Sequence, residues 1–327
     1  LEINEFPFFT FLFADLHAHL LSIPMLISLI SISFLLYYEN SSKIFTIKDI
    51  LILLILGLIT GTIKATNSWD YPLAILIVLI SIILLNIYGF GSNKFKIVKT
   101  IVYFSIYFVF SKLLFLNFDN SFIMPEFALS ISKWKTPFWA MLEILFLPIS
   151  LLLFYIVLYF HNFKVKFRFL YPKFFVSRNN KIIILAGIIL AIILLIFFYK
   201  LLTIFSLSIA ILFLIVITLI KNKIFENDSQ LFVWISLLFI LGFLLTIFTE
   251  IFVIKDDINR MNTFFKFNFQ SWILLNLGSS ILIPFIINEI NSKFKKNTFF
   301  FIMFILIFLG MSYPLYSIRP RISDRFD

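Results

Sequence analysis

Long apolar runs occupy most of this chain and constrain its fold more than any other feature. Hydrophobic residues make up 61% of the 327 residues and charged residues only 13%, whereas soluble domains carry about 25% charged residues. A helix of about 20 apolar residues is long enough to cross the hydrocarbon core of a bilayer. The chain is therefore predicted to be an integral membrane protein.

Ten apolar runs, the second of them short, are counted as membrane spans. They are residues 20–38, 50–63, 72–88, 97–116, 138–160, 182–199, 201–220, 231–249, 267–287 and 298–315. The predicted fold class is all-α, a polytopic transmembrane helical bundle of about ten spans, with residues 1–327 as one transmembrane domain. The first residue is leucine, and no signal-peptide pattern precedes the first run. We interpret the chain as a fragment that lacks N-terminal spans and a C-terminal region.

Lysine and arginine residues indicate which side of the membrane each loop faces. Loops rich in these residues are assigned to the cytoplasm by the positive-inside rule. The basic loops lie around residues 43–48, 94–99, 164–181, 221–223 and 293–296. The alternate loops are predicted to face the extracytoplasmic side, and they include residues 5–19, 64–70, 117–137 and 250–266.

Net charge and cysteine content exclude several classes of function. The formal net charge is +10, but the basic loops between spans account for it, so no nucleic-acid partner is predicted. The chain has no cysteine, which excludes disulfides, thiolate zinc sites and cysteine nucleophiles.

Clustered ionisable residues fall in three of the outward segments, and charge beside hydrocarbon is costly enough to indicate a purpose. The first segment, 5–19, ends in Asp15, His17 and His19. An extended backbone would project all three side chains from one face, whereas a helix would pair Asp15 with His19. Either arrangement suits a general base or half of a metal site. The alternative is an interfacial loop whose histidines lie among lipid headgroups.

The second segment, 64–70, places polar residues beside aromatic ones. Lys64, Asn67 and Asp70 recur every three residues, so on a helical turn they would form one stripe. Trp69 and Tyr71 are typical of a membrane interface. The alternative interpretation is a helix cap followed by an aromatic belt. Lys112 lies within the fourth predicted span, and we interpret it as a side chain that snorkels to the interface.

The third segment, 250–266, contains both acids and bases and leads directly into an apolar run. Asp256 and Arg260 are four residues apart, which predicts an ion pair if they lie on a helix. Glu250 and Asp257 also recur at helical spacing. Arg260 and Lys266 have the chemistry to clamp a phosphate, arginine as a bidentate fork and lysine as a point charge. The alternative is a solvated loop with one ion pair.

Three stretches of sequence carry a resemblance to a known family. They are EFPFFTFLFADLHAH at 5–19, NSWDYP at 67–72 and DDINRMNTFFKF at 256–267. In sequence and order they resemble the YYY membrane proteins, a family of unknown function. That family is similar to the large membrane glycosyltransferases of the C type, which use a polyprenyl-phosphate sugar donor and an acidic residue in the first outer loop.

The resemblance implies a C-type glycosyltransferase fold and specific residue roles. Asp15 matches the acidic position, with His17 and His19 as supporting catalytic residues. The set expected to bind the substrate or the donor phosphate comprises Lys64, Asn67, Asp70, Arg260, Asn262 and Lys266. A divalent metal is the one cofactor considered, and its candidate ligands are Asp15, His19, Glu250 and Asp257.

The leading hypothesis is therefore a glycosyltransferase-like membrane enzyme with an outward-facing site. Its expected partners are membrane lipid and a polyprenyl-phosphate sugar donor, and the three segments are expected to converge in one cavity. The first alternative is a transporter. The small number of charges in the middle of the spans and the lack of an internal repeat argue against it. The second is a non-catalytic membrane scaffold subunit. No oligomeric state is predicted.

Overall fold

A computed structural model describes most of the chain. The described residues are 10–11, 17–38, 46–88, 92–123, 128–170, 201–224, 229–255, 260–290 and 292–326. The predicted span 182–199 lies outside them, as do Asp15, Asp256 and Asp257. The chain divides into two compact units: a first unit within Phe9–Ala128 and a second unit within Leu129–Asp327. The assignment of residues 1–327 to one transmembrane domain stays a prediction.

From Ala18 onward, the described residues of the first unit form four long helices and one short one. They are α1 (Ala18–Tyr38), α2 (Ile47–Thr66), α3 (Tyr71–Tyr88), α4 (Asn93–Leu113) and α5 (Leu116–Ser121). The side chains of Thr46 and Ser92 accept hydrogen bonds from first-turn amides and cap α2 and α4. Helix α2 packs against α1 and α4, and α3 packs against α1 and α4.

Glycine sets the close approach of α2 to α4 in the first unit. A Cβ atom on Gly57 would lie 3.1 Å from the Tyr107 carbonyl oxygen and 3.2 Å from the Ser111 amide nitrogen. Backbone atoms are this close because position 57 has no side chain. Small residues at helix contacts are a common means of packing in membranes.

The described part of the second unit contains six helices and a pair of short strands. In chain order they are β1 (Leu129–Ile131), α6 (Phe138–Ile144), α7 (Phe146–Leu170), α8 (Leu202–Ile224), α9 (Ser229–Ile251), β2 (Phe252–Ile254), α10 (Met261–Glu289) and α11 (Lys293–Phe326). Helix α10 packs against α7 and α9, and α8 packs against α9. At the α9–α10 contact, a Cβ on Gly242 would lie 2.7 Å from Leu275 Cγ.

The two strands are the one departure from the predicted all-α class among the described residues. They pair antiparallel, with Leu129 opposite Ile254 and Ile131 opposite Phe252. The ladder continues as the Ser132 amide donates to the carbonyl oxygen of Ile251, the last residue of α9, at 2.8 Å. This pairing holds the loop before α6 against the end of α9, where polar side chains meet.

The helices confirm an integral membrane protein of predominantly helical fold. Every predicted span within the described residues overlaps a helix. Five described helices, α1, α2, α9, α10 and α11, are long and apolar enough to cross a membrane. The bent pair α6 and α7, which turns by 90°, would make a sixth. A count of about ten spans and a C-type glycosyltransferase fold stay predictions.

Candidate functional site

Four polar side chains meet inside the first unit, where the beginning of α1 faces the turn between α2 and α3. We call His19, Ser22, Asn67 and Asp70 the Asp70 cluster. The side-chain nitrogen Nδ2 of Asn67 lies 3.1 Å from His19 Nδ1, and the Ser22 hydroxyl donates a hydrogen bond to Asp70 Oδ2 at 2.5 Å. All four residues are buried. Two segments that are 48 residues apart in sequence are thus joined.

Local backbone structure explains why these side chains converge. Helix α2 ends at Thr66, and Asn67 is extended, with φ −144° and ψ 94°, while its amide donates to the carbonyl oxygen of Ile63. A tight turn follows, in which the Asp70 amide donates to the Asn67 carbonyl oxygen at 3.1 Å. Lys64, Asn67 and Asp70 therefore do not form one helical stripe, because the helix ends between the first and the second of them.

The hydrogen bond to Asn67 orients the His19 ring. An amide nitrogen donates and cannot accept, so Nδ1 of His19 accepts and the neutral ring carries its proton on Nε2. His17 is exposed, and its ring centroid lies 6.3 Å from that of His19. Asp15 lies outside the described residues, so its catalytic role stays a prediction.

A second group in the first unit consists of two lysines around one carboxylate, stacked beside an aromatic ring. We call Lys64, Tyr71, Lys112 and Asp119 the Lys64 cluster. Lys64 donates to Asp119 Oδ1, and Lys112 donates to Asp119 Oδ2 at 3.0 Å. Both ammonium groups lie 5.4 Å from the centroid of the Tyr71 ring, within the range of cation–π attraction. Lys112 does not simply snorkel to the interface as predicted, because its ammonium group forms an ion pair with Asp119.

Asp119 is ionised in this environment. Burial by itself would raise the pKa of its carboxyl group, but the hydrogen bonds and positive charges of Lys64 and Lys112 outweigh burial and lower that pKa below its ordinary value. Sequence reasoning missed Asp119 as a site residue. It lies 55 residues from Lys64, in the short α5 helix, and only its place in an outward loop hinted at a role.

The second unit contains a buried ion pair at the junction of α9, β2 and α10. We call Thr136, Thr249, Glu250, Arg260 and Asn268 the Arg260 cluster. Arg260 Nη2 contacts Glu250 Oε1 and donates to Thr136 Oγ1 at 2.9 Å, while its Nε donates to the Thr249 carbonyl oxygen at 3.0 Å. Both charged side chains are at most 5% exposed.

Further hydrogen bonds complete the Arg260 cluster. The Glu250 carboxylate accepts from the Thr136 amide at 2.8 Å and from its hydroxyl at 2.5 Å. Asn268 donates to the Thr249 hydroxyl at 2.9 Å. Asp256 and Asp257 lie outside the described residues, so the pairs expected for them stay predictions. Sequence spacing did not predict the pairing of Arg260 with Glu250, because it depends on the turn after α9.

Asn262 and Lys266 lie in the first two turns of α10, and both are partly buried. Beside the Arg260 cluster is a small pocket with about 220 Å³ of empty space, part of it open to solvent. Its lining residues are Thr136, Met141, Ile144, Leu145, Thr246, Glu250, Phe264 and Asn268. The part of this space that the centre of a water-sized molecule can occupy is about 10 Å³, which is enough for about one water molecule.

The metal-site hypothesis is not decided by the described residues. Within the described part of the chain, no three or more histidine, aspartate or glutamate side chains are grouped so that they could hold a metal ion. Two of the four candidate ligands, Asp15 and Asp257, lie outside that part. Convergence of the three sequence segments in one cavity likewise stays a prediction.

Comparison with known proteins identifies a family but no activity. A family model described as uncharacterized membrane protein (DUF2298) matches residues 1–275. No curated protein and no solved structure is significantly similar to the chain. Because the match covers most of the sequence and agrees with the apolar helices, the chain belongs to the DUF2298 family of uncharacterized membrane proteins.

Proposed function

We propose that this chain is a membrane transferase of the C-type glycosyltransferase kind, which uses a polyprenyl-phosphate sugar donor at the extracytoplasmic face. The observation that carries the proposal is that His19 near the beginning of α1, Lys64 in the last turn of α2 and Asp70 just before α3 lie at adjoining helix ends. There His19 and Asp70 are buried, and Lys64 lies six residues before Asp70. The resemblance of the three motifs to the YYY proteins adds support.

The chemistry of glycosyl transfer assigns a role to each type of group. Attack on the sugar carbon needs a carboxylate or imidazole to take the proton of the acceptor hydroxyl, a contribution of about 10²–10⁴-fold. Asp15 is the proposed base, with His17 and His19 beside it in sequence. A divalent metal is the alternative to a base: if Asp15 bound it, the metal would order the acceptor and polarise its hydroxyl.

The donor phosphate requires cations and hydrogen-bond donors. In the first unit, the Lys64 ammonium group supplies the cation, and the side-chain amide of Asn67 supplies a hydrogen-bond donor. Asp70 is an anion and would repel a phosphate, so its proposed role is to hold the α3 turn through its bond to Ser22. In the second unit, Asn262 and Lys266 stay candidate phosphate ligands on the basis of the sequence motif alone, while Glu250 already neutralises much of the charge of Arg260.

Transfer activity tests the proposal directly. The purified chain in proteoliposomes is supplied with polyprenyl-phosphate-linked glucose or mannose and with acceptor alcohols, whose hydroxyl attacks the sugar carbon as the polyprenyl phosphate leaves. Release of the polyprenyl phosphate and formation of the glycoside are both measured. We expect turnover that falls by about 100-fold or more in Asp15→Asn. Glu143→Gln is the matched control, because Glu143 is exposed and belongs to none of the clusters. A folded chain that turns over no such donor would contradict the proposal, and solute flux without transfer would favour the transporter alternative.

The proposed orientation of the chain in the membrane can be tested by cysteine labelling, because the chain has no cysteine of its own that would react. Ile123 is 90% exposed just after α5, and Lys94 is exposed in the first turn of α4. A membrane-impermeant maleimide added to intact cells is expected to label Ile123→Cys and to leave Lys94→Cys unlabelled. The reverse pattern would place the Lys64 cluster on the cytoplasmic side and exclude an extracytoplasmic donor site there.

A further inference from the structure

We propose that the Lys64 cluster binds the phosphodiester of a lipid, which inserts between the ammonium groups of Lys64 and Lys112 in competition with Asp119. This rests on the proposed function, since the phosphodiester in question is that of the lipid-linked sugar donor. The new assignment concerns Lys112 as a second phosphate ligand and Asp119 as an internal anion that occupies the site when no lipid is bound.

The charge of the cluster is unbalanced. Two lysines share one aspartate, so these three side chains carry a formal charge of +1. Two ammonium groups that contact the same carboxylate repel each other. A phosphodiester carries a single negative charge and would neutralise the excess. An unbalanced cationic group of this kind is therefore suited to an anionic ligand.

The hydrogen-bonding capacity of the lysines also exceeds what Asp119 uses. An ammonium group has three N–H donors, and Asp119 takes one from Lys64 and one from Lys112. Donors thus remain for phosphate oxygens. The side chain of Lys112 is 34% exposed, compared with 11% for Lys64, so a headgroup would reach Lys112 first.

The surrounding helices hold the two cations in place. Lys64 lies in the last turn of α2, and Lys112 lies in the last turn of α4. Cations are stabilised at helix C-termini by the helix dipole, and the Tyr71 ring lies beside both ammonium groups. Asp119, by contrast, is carried on a helix of six residues, which makes it the more replaceable partner. Exchange of one anion for another between two fixed lysines follows from this geometry.

A binding experiment tests the inference without relying on turnover. The purified full chain in phosphatidylcholine nanodiscs is titrated with radiolabelled polyprenyl-phosphate glucose, and bound lipid is counted. Polyprenol of the same length, which lacks the phosphate, serves as the uncharged control lipid. Phosphatidylglycerol and inorganic phosphate are added separately as competitors, which distinguishes a donor lipid from bulk anionic lipid and from free phosphate.

Substitutions of the lysine and of the aspartate are expected to change lipid binding in opposite directions. Lys112→Gln is expected to weaken binding by about tenfold or more, the loss of one charge-assisted hydrogen bond. Lys112→Arg keeps the charge and is expected to retain binding. Asp119→Asn removes the competing anion and is expected to tighten binding severalfold. Lys94→Gln makes the same charge change at the other end of α4, and its binding is expected to equal that of the unaltered chain.

Several results would overturn the inference. They are equal binding of polyprenol, unchanged binding by Lys112→Gln, and loss of binding in a folded Asp119→Asn chain. Displacement by inorganic phosphate at low concentration would also overturn it, because the ligand would then not be a lipid. Displacement by phosphatidylglycerol would support a lipid phosphodiester site that is not selective for the donor. Lys112-dependent binding without any transfer activity would sustain this inference while the proposed function fails.

Discussion

The two charged clusters of this protein use carboxylates in opposite ways. In the first unit, Asp119 lies between two lysines, and the group is partly exposed. In the second unit, Glu250 faces one arginine, and both side chains are almost fully buried. The Thr136 amide and hydroxyl also donate to Glu250, so its charge is matched and its oxygens are well bonded.

This difference indicates which cluster holds the fold and which is available to a ligand. A buried, fully bonded ion pair is difficult to open, because either charge left alone would lack compensation. A partly exposed group with excess positive charge loses less when one anion replaces another. The Arg260 cluster is therefore expected to control stability, and the Lys64 cluster is expected to control binding.

The largest expected effect comes from breaking the buried pair. Arg260→Gln leaves the Glu250 charge uncompensated in the interior, which costs about 3–5 kcal/mol in comparable cases. The free energy of unfolding in detergent, measured by denaturant titration, should fall accordingly. Lys255→Gln is the control, because Lys255 is exposed in the turn after β2.

A double variant separates lost charge balance from lost packing. Arg260→Met combined with Glu250→Gln removes both charges, so its stability should recover a substantial part of the loss seen in Arg260→Gln. If the single Arg260 variant unfolds like the unaltered chain, the contrast between the two clusters fails.

The next largest loss of stability is expected at the close contact of Gly61 with Phe115, next to the Lys64 cluster. A Cβ atom on Gly61 would lie 2.1 Å from the ring of Phe115, and the Phe115 carbonyl oxygen accepts from the Asp119 amide at 2.8 Å. Gly61→Ala must therefore shift Phe115 and the start of α5. We expect a loss of about 1–3 kcal/mol from overpacking, with altered binding of the lipid phosphodiester.

Gly310→Ala is the matched control for that substitution. Its added Cβ would lie 3.4 Å from the nearest atom of Phe146, which is ordinary contact, and alanine favours a helix over glycine by about 1 kcal/mol. This variant should equal or exceed the unaltered chain in thermal stability. A Gly61→Ala chain that is also stabilised would show that Phe115 is free to move away.

The smallest expected effect is the pH dependence of Asp119. Its pKa is lowered in the folded protein from the ordinary value of 3.8, so the stabilisation is present above that value and is lost as the pH falls through the lowered pKa. Asp119→Asn should therefore be less stable than the unaltered chain by about 1 kcal/mol or less at neutral pH. The two should converge in acid, once the pH has fallen below the lowered pKa.

Unfolding titrations of both chains at neutral pH and in acid provide the measurement. A gap that persists in acid would mean that Asp119 contributes through packing and not through its charge. Glu143→Gln, at an exposed position, controls for general effects of removing an acidic group.

The sequence predicted the residue types of the site better than their partners. His19, Asn67 and Asp70 were singled out, and the structure brings all three into one cluster. For Lys64, the expected stripe along one helix was wrong, because α2 ends at Thr66 and the lysine pairs with Asp119. Spacing rules describe neighbours on one helix and carry no information about contacts made across 55 residues.

The Arg260 cluster shows the same limit. Helical spacing predicts a pair with Asp256, which lies outside the described residues, and it gives no sign of the contacts that Arg260 makes with Glu250, at the end of α9, and with Thr136. Thr136 is 124 residues away and is brought near by the loop that the β1–β2 pairing holds. A threonine in a loop gives no local signal of such a role.

The sequence alone determined the class of the protein and the approximate positions of most of the described helices, because a backbone in hydrocarbon must satisfy its own hydrogen bonds and an apolar run can do so only as a helix or within a closed barrel. It did not predict that the span 138–160 is divided into α6 and α7, which are bent by 90°. The tertiary structure decided which charges meet. An ion pair depends on helix ends and turns that bring distant residues within a few ångströms, as they do for Lys112 with Asp119 and for Arg260 with Glu250. The tertiary structure thus places Asp119 between two lysines and Glu250 beside a single arginine.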